Sequence, residues 1–531
     1  MKVIVVTGGV LSGLGKGTAA AALSRLLRDG NRIIPMKCDG YLNYDPGTMN
    51  PIEHGEVFVL DDGGEVDMDF GHYERFLNID CKFDWNLTSG KIFYDVINKE
   101  RQGDFLGKTI QIFPHISQEI KKRFNKIAKD EKADILMIEI GGTIGDIENS
   151  WFVEAVRQLK KDLGYDNVIY IHLTYVPWLE SVGEPKTKPA QRDVAQLRSL
   201  GISPDILIAR SSEPLSKKVK QKLALFCDVD QENVISGHNV ETIYELPLVF
   251  QKQGMTEIIK NKLKLDHESD LKEWEKLVNN IKNPKSQITI AMCGKYTELR
   301  DSYASVIEAL IHAGANLGVK VLVEWIETTD IETGKLKIEE AMKDIRGIIV
   351  PGGFGDRGIE GKIEMIRYAR ENKIPFLGLC YGLQLAVVEF ARNVCNLKEA
   401  HTTEVNSETK HAVIDILPDQ KAIMKKGGTM RLGAYEADVK EGTLIHRLYK
   451  STKVSERHRH RYEVNPEYHD SLEKNGLIFS GTSEKGKLVE FIELKDHPCF
   501  IATQSHPELK SKLEHPAPMF YGFIQAAMKI K

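Results

Sequence analysis

Short apolar segments rich in Val and Ile alternate with helix-like segments along most of this chain. The first, at 2–7, precedes a glycine-rich turn and an Ala- and Leu-rich helix predicted for 18–28. The same pattern predicts later strands at 32–36, 135–140, 168–173 and 205–209. Continuous apolar strands that alternate with helices are typical of parallel sheets with helices on both faces. The pattern therefore predicts an α/β fold.

This pattern occurs twice, and a charged segment separates the two series. Residues 266–287 are rich in Lys and Glu and include Asn-Pro-Lys-Ser near their end, which is typical of an exposed, partly helical linker. The second series is predicted to contain a helix at 303–313 and strands at 288–293, 320–325, 347–350 and 375–379. We therefore predict two α/β domains, 1–265 and 288–531, each a mostly parallel sheet with helices on both faces.

Composition excludes several classes of protein. Lys and Arg number 72 and Asp and Glu number 76, so the net charge of −4 argues against a general nucleic-acid-binding protein. No segment approaches 18 consecutive apolar residues, and the apolar N-terminal run is too short for a signal peptide. Seven widely spaced cysteines without a C-x-x-C pair favour a reducing compartment. We expect a cytoplasmic protein with no membrane or nucleic-acid partner.

The glycine-rich segment after the first strand reads VTGGVLSGLGKGT. Its backbone N–H groups and the following helix N-terminus can bind phosphates, and Lys16 adds a full positive charge. The segment departs from the P-loop pattern, because Val10 occupies the first glycine position and Gly17 separates Lys16 from Thr18. Five glycines in ten residues exceed what a tight turn requires, which favours a phosphate site over a purely structural turn.

Acidic and basic candidates follow later in the first series. Asp67 and Asp69 lie in one acidic stretch, and Glu139 lies near the end of a predicted strand. Carboxylates beside a phosphate loop suit Mg²⁺, although each alone could be a solvated or salt-bridged surface group. Lys186 and Lys188 lie in a proline-bounded loop, where they suit either a triphosphate or solvent.

The strongest local signal is G-x-C-x-G at 378–382, between a predicted strand and helix. This is the thiol counterpart of the nucleophile elbow, in which helix N–H groups favour a thiolate at Cys380 and can form an oxyanion hole. His506 and Glu508 supply a base and a carboxylate that orients it, and the glycine loop at 351–355 supplies further donors. A buried structural thiol is the alternative, and the combination favours a nucleophile. The other cysteines are interpreted as small apolar core residues.

A basic run at 457–461 reads RHRHR. It could form a solvated strand face, a site for a carboxylate or phosphate, or, with less support inside a folded domain, a localisation signal. The sequence alone leaves these alternatives open.

Taken together, these motifs resemble the CTP synthase family over nearly the whole chain. The C-terminal half resembles a class I glutamine amidotransferase domain through PGGFG, G-x-C-x-G-x-Q and His-Pro-Glu. The N-terminal half resembles the synthetase domain through VTGGVLSGLGKG, GGEVDMDFGHYERF, IEIGGTIGDIE and GEPKTKP. The resemblance implies that ATP phosphorylates O4 of UTP and that ammonia from glutamine displaces the phosphate. That reaction is the last step of de novo CTP synthesis.

The resemblance also implies roles for individual residues. Cys380 would form the glutamyl thioester, His506 would act as acid and base, and Glu508 would orient His506. Glutamine would contact Gly353, Tyr381, Gly382, Leu383, Gln384, Glu404 and Arg461. ATP would contact Ser12, Gly13, Leu14, Gly15, Lys16, Gly17, Thr18, Lys37 and Asp69, and Mg²⁺ would bind Asp69 and Glu139. UTP would contact Ser12, Lys186, Lys188, Gln191 and Lys222, and the inhibitor CTP would contact Ser12, Asp146, Ile147, Glu148, Lys186, Gln191 and Lys222.

The resemblance further implies GTP as an allosteric activator and a homotetramer, and it leaves filament formation open. Two alternatives remain. One is a glutamine-dependent ATP ligase with another acceptor, against which GEPKTKP and GDIE argue. The other is a catalytically silent homologue that forms assemblies, against which the intact nucleophile, lysines and motif acids argue.

Overall fold

The computed structural model describes residues 1–49, 55–266, 268–294, 300–353, 355–416 and 430–530. The chain divides into two compact units. The first comprises Met1–Pro46 and His72–Val278, and the second comprises Gly47–Gly71 and Asn279–Lys531. Each unit contains a sheet with helices packed on it, so the predicted two-domain α/β architecture is confirmed.

The strands of the described residues are β1 (Lys2–Gly8), β2 (Ile33–Asp39), β3 (Phe58–Val59), β4 (Glu65–Val66), β5 (Asn86–Thr88), β6 (Ile135–Ile140), β7 (Val168–Tyr175), β8 (Trp178–Leu179), β9 (Glu184–Pro185), β10 (Ile206–Ser211), β11 (Val234–His238), β12 (Ser286–Gly294), β13 (Val319–Glu327), β14 (Ile345–Val350), β15 (Phe376–Leu379), β16 (Ala400–Thr402), β17 (His411–Ile416), β18 (Arg431–Val439), β19 (Lys453–His460), β20 (Tyr462–Val464), β21 (Leu477–Ser483), β22 (Leu488–Leu494) and β23 (Phe500–Thr503).

The helices of the same residues are α1 (Lys16–Leu27), α2 (Asp69–Leu77), α3 (Ser89–Gln102), α4 (Ser117–Asp130), α5 (Ser150–Leu163), α6 (Lys188–Ser199), α7 (Lys217–Cys227), α8 (Leu246–Lys252), α9 (Met255–Leu263), α10 (Lys272–Lys282), α11 (Ala304–Leu317), α12 (Thr328–Glu332), α13 (Ile338–Ala341), α14 (Ile359–Asn372), α15 (Tyr381–Asn393), α16 (Leu444–Tyr449), α17 (His469–Lys474) and α18 (Pro518–Ala527). None of these described helices is both long enough and apolar enough to cross a membrane.

The first unit is built on a parallel sheet with the strand order β11-β10-β7-β1-β6-β2-β5. The core of β1, Val3 to Val6, is fully buried, as expected for a strand covered by helices on both faces. Because β1 lies between β6 and β7, the loops that follow these three strands share one edge of the sheet. This edge is where open α/β sheets bind ligands.

The segment predicted as an exposed, partly helical linker, 266–287, contains helix α10, and one face of this helix is buried. Trp274 of α10 is fully buried, and its indole N–H donates to the backbone O of Tyr244 at 2.7 Å. Leu277 is also buried, and the Arg25 guanidinium lies 5.1 Å from the centre of the Trp274 ring. The charged side chains therefore cover one face of an amphipathic helix whose other face packs on the first unit.

The second unit contains a mixed sheet with the order β13-β12-β14-β15-β23-β22-β21-β18-β19. The strands from β13 to β23 pair in parallel, as predicted, whereas β22, β21, β18 and β19 extend the sheet in antiparallel fashion. The basic run at 457–461 begins within β19, where Arg457 and His458 are buried. Its interpretation as a solvated strand face is therefore wrong.

A small hairpin from the N-terminal part of the sequence belongs to the second unit. It consists of β3 and β4, which pair in antiparallel fashion. The backbone N–H of Ala434 in β18 donates to the backbone O of Asp61 in the hairpin turn at 2.9 Å. A side chain at Gly433 would lie 2.6 Å from the backbone N of Gly63, so the two chain segments are in close backbone contact.

Candidate active site

Cys380 occupies a sharp turn between β15 and α15. Its φ of 49° and ψ of −98° lie in a region that residues other than glycine seldom adopt. The backbone N–H of Cys380 donates to the O of Thr503 in β23 at 2.7 Å, and its O accepts from the N–H of Leu383 at 3.1 Å. This strained turn places the thiol at the N-terminus of α15, where the helix dipole favours negative charge.

Close backbone packing explains the glycines on either side of Cys380. A Cβ atom at Gly382 would lie 2.1 Å from the backbone O of Val350, and one at Gly378 would lie 2.8 Å from the Cβ of Ala502. Neither position can take a side chain without moving the neighbouring strand. The G-x-C-x-G spacing is therefore a packing requirement of the elbow.

His506 and Glu508 are in direct contact in the turn that follows β23. The Nδ1 of His506 lies 2.7 Å from the Oε1 of Glu508, and the Glu508 side chain is buried. Burial lowers the pKa of His506, but Glu508 and Cys380 outweigh it through charge and hydrogen bonding, and the pKa lies well above its ordinary value. The imidazolium is thus stabilised between a carboxylate and the thiol group, as a Cys-His-Glu site requires.

The glycine loop after β14 lies against both the predicted nucleophile and the predicted base. A Cβ atom at Gly352 would lie 2.8 Å from the Cε1 of His506 and 3.7 Å from the Cβ of Cys380. The 2.8 Å approach means that only a glycine leaves the His506 ring in place, whereas the distance to Cys380 is an ordinary contact. The structure therefore brings together the three motifs that the sequence analysis combined.

Gln504 is a residue of this site that the sequence analysis missed. Its fully buried side chain donates from Nε2 to the Sγ of Cys380 at 3.6 Å and accepts at Oε1 from the Nε2 of Gln384 at 3.4 Å. Gln384 also donates to the backbone O of Tyr462 at 3.0 Å. The available signal was its position two residues before His506, just ahead of the predicted His-Pro-Glu motif.

Several of the predicted glutamine-binding residues meet beside this site. The carboxylate of Glu404 accepts from the N–H of Gly355 at 3.2 Å, and the hydroxyl of Tyr381 donates to the O of the same glycine at 3.0 Å. Burial and then Glu404 raise the pKa of Tyr462, while Arg461 opposes them. A carboxylate and a guanidinium therefore both act on Tyr462, and these two kinds of group are the ones that recognise an α-amino acid.

In the first unit, the glycine-rich loop connects β1 to α1 as predicted. Ser12, Gly13 and Gly15 are exposed, whereas the side chain of Leu14 is buried. Lys16 begins α1, and its Nζ donates to the backbone O of Gly142, in the loop after β6, at 2.7 Å. An exposed loop, a helix N-terminus and a lysine thus meet at the expected sheet edge.

Lys37 and Glu139, predicted for ATP and Mg²⁺, form a buried ion pair. The Nζ of Lys37 lies 3.0 Å from Oε1 of Glu139 and 4.0 Å from Oδ1 of Asp39, and the Tyr73 hydroxyl donates to Oε2 of Glu139. Asp69 is the first residue of α2. Among the residues described, no cluster of three or more His, Cys, Asp or Glu side chains is arranged to hold a metal ion.

Apart from Ser12 in the glycine-rich loop, the residues predicted for UTP lie between β7 and β10 or on α7. Lys186 forms an ion pair with Glu184, and Lys186 followed by Lys222 lowers the pKa of that carboxyl. Both lysines thus stabilise the charged form of one exposed carboxylate, that of Glu184. Lys188 begins α6, and Gln191 follows in its first turn.

The stretch predicted for CTP follows β6 at the same sheet edge. The carboxylate of Asp146 accepts from the N–H of Thr143 at 2.8 Å, and Ile147 is largely exposed. Asp193 of α6, which the sequence analysis missed, lies against Gly9 of the glycine-rich loop and 3.0 Å from Nε2 of His172. This carboxylate therefore links the glycine-rich loop after β1 to strand β7.

Comparison with known families matches both halves of the chain. The family described as CTP synthase N-terminus matches residues 2–265, and Glutamine amidotransferase class-I matches residues 298–526. The chain is 55% identical over 535 residues to the CTP synthase of Methanococcus maripaludis, with all of both chains covered. It is 53% identical over 539 residues to the CTP synthase of Methanocaldococcus jannaschii, covering all of this chain and 99% of that one.

One solved structure similar to the chain is the Trypanosoma brucei CTPS glutaminase domain with bound acivicin. It shares 35% sequence identity, covers 46% of this chain and 95% of its own, and has a TM-score of 0.43.

Proposed function

The chain belongs to the CTP synthase family, and from this premise we propose that Cys380, His506 and Glu508 release the ammonia that aminates UTP. Its relatives are enzymes that convert UTP to CTP with ATP as co-substrate and glutamine as the nitrogen donor, and this chain is an enzyme of that kind. The observation that carries the site assignment is the strained Cys380 elbow facing the His506–Glu508 pair.

In the amidotransferase half-reaction, the thiolate of Cys380 attacks the side-chain amide carbon of glutamine. His506, whose pKa is raised, donates a proton to the departing ammonia and then accepts one from the water that hydrolyses the thioester. Glu508 holds Nδ1 of the imidazole, so that Nε2 faces the reacting atoms. Gln504 donates a hydrogen bond to the attacking sulfur.

In the synthetase half-reaction, we assign the ATP phosphates to the loop of residues 12–18 and Lys16, with Lys37 as a further positive charge. Phosphorylation of O4 converts a poor leaving group into a good one, and the residues catalyse it by positioning and charge stabilisation. A carboxylate such as Glu139 suits Mg²⁺, which would neutralise the phosphate charge.

The other predictions remain part of this proposal. They are Asp69 as a second Mg²⁺ ligand, GTP activation, CTP inhibition through 146–148, a homotetramer, a cytoplasmic location and the domain limits 1–265 and 288–531. Lys186 and Lys222 both act on the carboxyl of Glu184, which supports the assignment of UTP to this region, because a triphosphate requires concentrated positive charge.

The test is CTP formation from UTP and ATP, with glutamine and with ammonium measured side by side. Cys380→Ala is expected to abolish the glutamine-dependent reaction and to retain the ammonium-dependent one. Cys395→Ala, a half-buried cysteine elsewhere in the second unit, is the matched control and should retain both. Loss of both activities in the folded Cys380→Ala variant would contradict the division of labour. CTP from neither donor in the parent enzyme would favour another acceptor or a silent homologue.

A further inference from the structure

The hairpin at 58–66 holds a carboxylate against β19. Oδ1 of Asp61 accepts a hydrogen bond from Nε of Arg457 in β19, and Oδ2 accepts from Nζ of Lys510 at 3.2 Å. Burial raises the pKa of Asp61, but the charges and hydrogen bonds of Arg457 and Lys510 outweigh it, so the pKa is lowered. Asp61 is therefore an ionised counterion for two cations.

Arg457 is fully buried, which is unusual for a guanidinium and is costly without a partner. Its guanidinium carbon lies 5.4 Å from the centre of the Phe58 ring of the same hairpin. The hairpin thus supplies both the counter-charge and an aromatic face. Removing the carboxylate would take away a counterion that lies in direct contact with this buried cation.

Arg457 also holds the turn that carries the catalytic base. Its backbone O accepts from the N–H of His506 at 2.7 Å, and its Nη1 donates to the backbone O of Leu509 at 3.3 Å. Lys510, the other partner of Asp61, donates to the backbone O of Ser455 at 3.2 Å. The turn from 506 to 510 is therefore tied to β19 at both ends, through the backbone and guanidinium of Arg457 and the ammonium of Lys510, the two residues that Asp61 binds.

We propose that Asp61 is a positioning residue for His506, acting through Arg457. The match to the CTP synthase N-terminus family includes Asp61, so a residue of that part of the sequence sets the geometry of glutamine hydrolysis. The proposal rests on the proposed function of His506 as the base of that reaction. It assigns Asp61 no contact with substrate.

A second ion pair offers a matched control. Glu65 in the same hairpin binds Arg459 in the same strand at 2.9 Å. Arg459 is partly exposed, and within the described residues none of its side-chain hydrogen bonds reaches the turn at 506–510. Glu65→Gln therefore weakens the attachment of the hairpin without acting on His506.

The experiment compares Asp61→Asn, Asp61→Glu and Glu65→Gln in the full chain. The measurements are kcat and KM for glutamate release, the pH profile of kcat, and ammonium-dependent CTP synthesis. We expect Asp61→Asn to lower kcat about tenfold and to move the pH profile, with KM changed by less than about twofold. Asp61→Glu should recover part of the loss, and Glu65→Gln should resemble the parent.

A second readout uses the reaction of Cys380 with iodoacetamide, which needs no glutamine turnover. Its pH dependence should change in Asp61→Asn and not in Glu65→Gln. Equal losses in both variants, or an unchanged kcat and alkylation profile in Asp61→Asn, would overturn the proposal. Where Asp61→Asn does not fold, Arg457→Lys, which keeps the charge, replaces it under the same criteria. Glutamate release by Cys380→Ala at the parent rate would instead refute the proposed function.

Discussion

A single methyl group at Gly352 should disable glutamine hydrolysis without disturbing the rest of the enzyme. The Cβ of Gly352→Ala would lie 2.8 Å from Cε1 of His506, whereas ordinary contact begins at 3.4 Å. The imidazole would therefore have to move by 3.4 − 2.8 = 0.6 Å to restore ordinary contact. That movement acts directly on the 2.7 Å contact between His506 and Glu508.

The expected cost follows from the size of this movement. A misplacement of about 1 Å in a catalytic group lowers a rate by about 100-fold, so a loss of about 10- to 100-fold in kcat for glutamate release is expected. This corresponds to about 1.4 to 2.7 kcal/mol in the activation barrier. Gly352 has no positive φ, so the substitution adds no backbone strain of its own.

The assay measures glutamate release and, in the same preparation, ammonium-dependent CTP synthesis. Glutamate release should fall, ammonium-dependent synthesis should stay within about twofold of the parent, and the melting temperature should change little. A parental rate of glutamate release in Gly352→Ala would refute the argument that the loop and His506 are in contact during catalysis. An equal loss of the ammonium reaction would show that the effect is not local.

Three further predictions concern Glu456, Gln504 and Lys16. Burial raises the pKa of Glu456 to about 7, so the stability of the fold should fall as the pH rises from about 4.5 through about 7. Glu456→Gln, which keeps an acceptor for Tyr449, should therefore raise the melting temperature at about pH 8.5 and not at about pH 4.5. Gln504→Glu places a negative charge beside Cys380 and should slow iodoacetamide alkylation more than Gln504→Ala does. Lys16→Ala should remove CTP synthesis with either nitrogen donor, and survival of the ammonium reaction would contradict the phosphate-loop assignment.

The local elements were predictable because each depends on a short stretch of backbone. The strand predicted at 135–140 is observed as Ile135–Ile140, and the helix predicted for 18–28 is observed as Lys16–Leu27. The segment at 266–287 is predicted to be exposed because charged residues dominate its composition, whereas one face of its helix is buried. The burial of Trp274 depends on Tyr244, which no local pattern connects to it.

The candidate site also contains features that local sequence predicts and features that it does not. The elbow at Cys380 was predictable because a strand-to-helix turn with two close backbone approaches permits only glycine at 378 and 382. The hydrogen bond from Gln504 to the sulfur of Cys380 was not predictable, since it requires β23 to lie beside β15. Strand order depends on the whole sheet, and a single sequence shows only that the strands exist.

The sequence by itself determined the α/β class, the nucleophile motif and the family, because each is carried by local periodicity or by contiguous residues. Tertiary structure alone decided that Asp61 packs against Arg457, that Lys37 neutralises Glu139, and that the basic run is buried. The physical reason is that an ion pair between residues far apart in the sequence imposes no requirement on the local backbone around either residue. Such a pair is therefore set by which strands the hydrophobic core brings together.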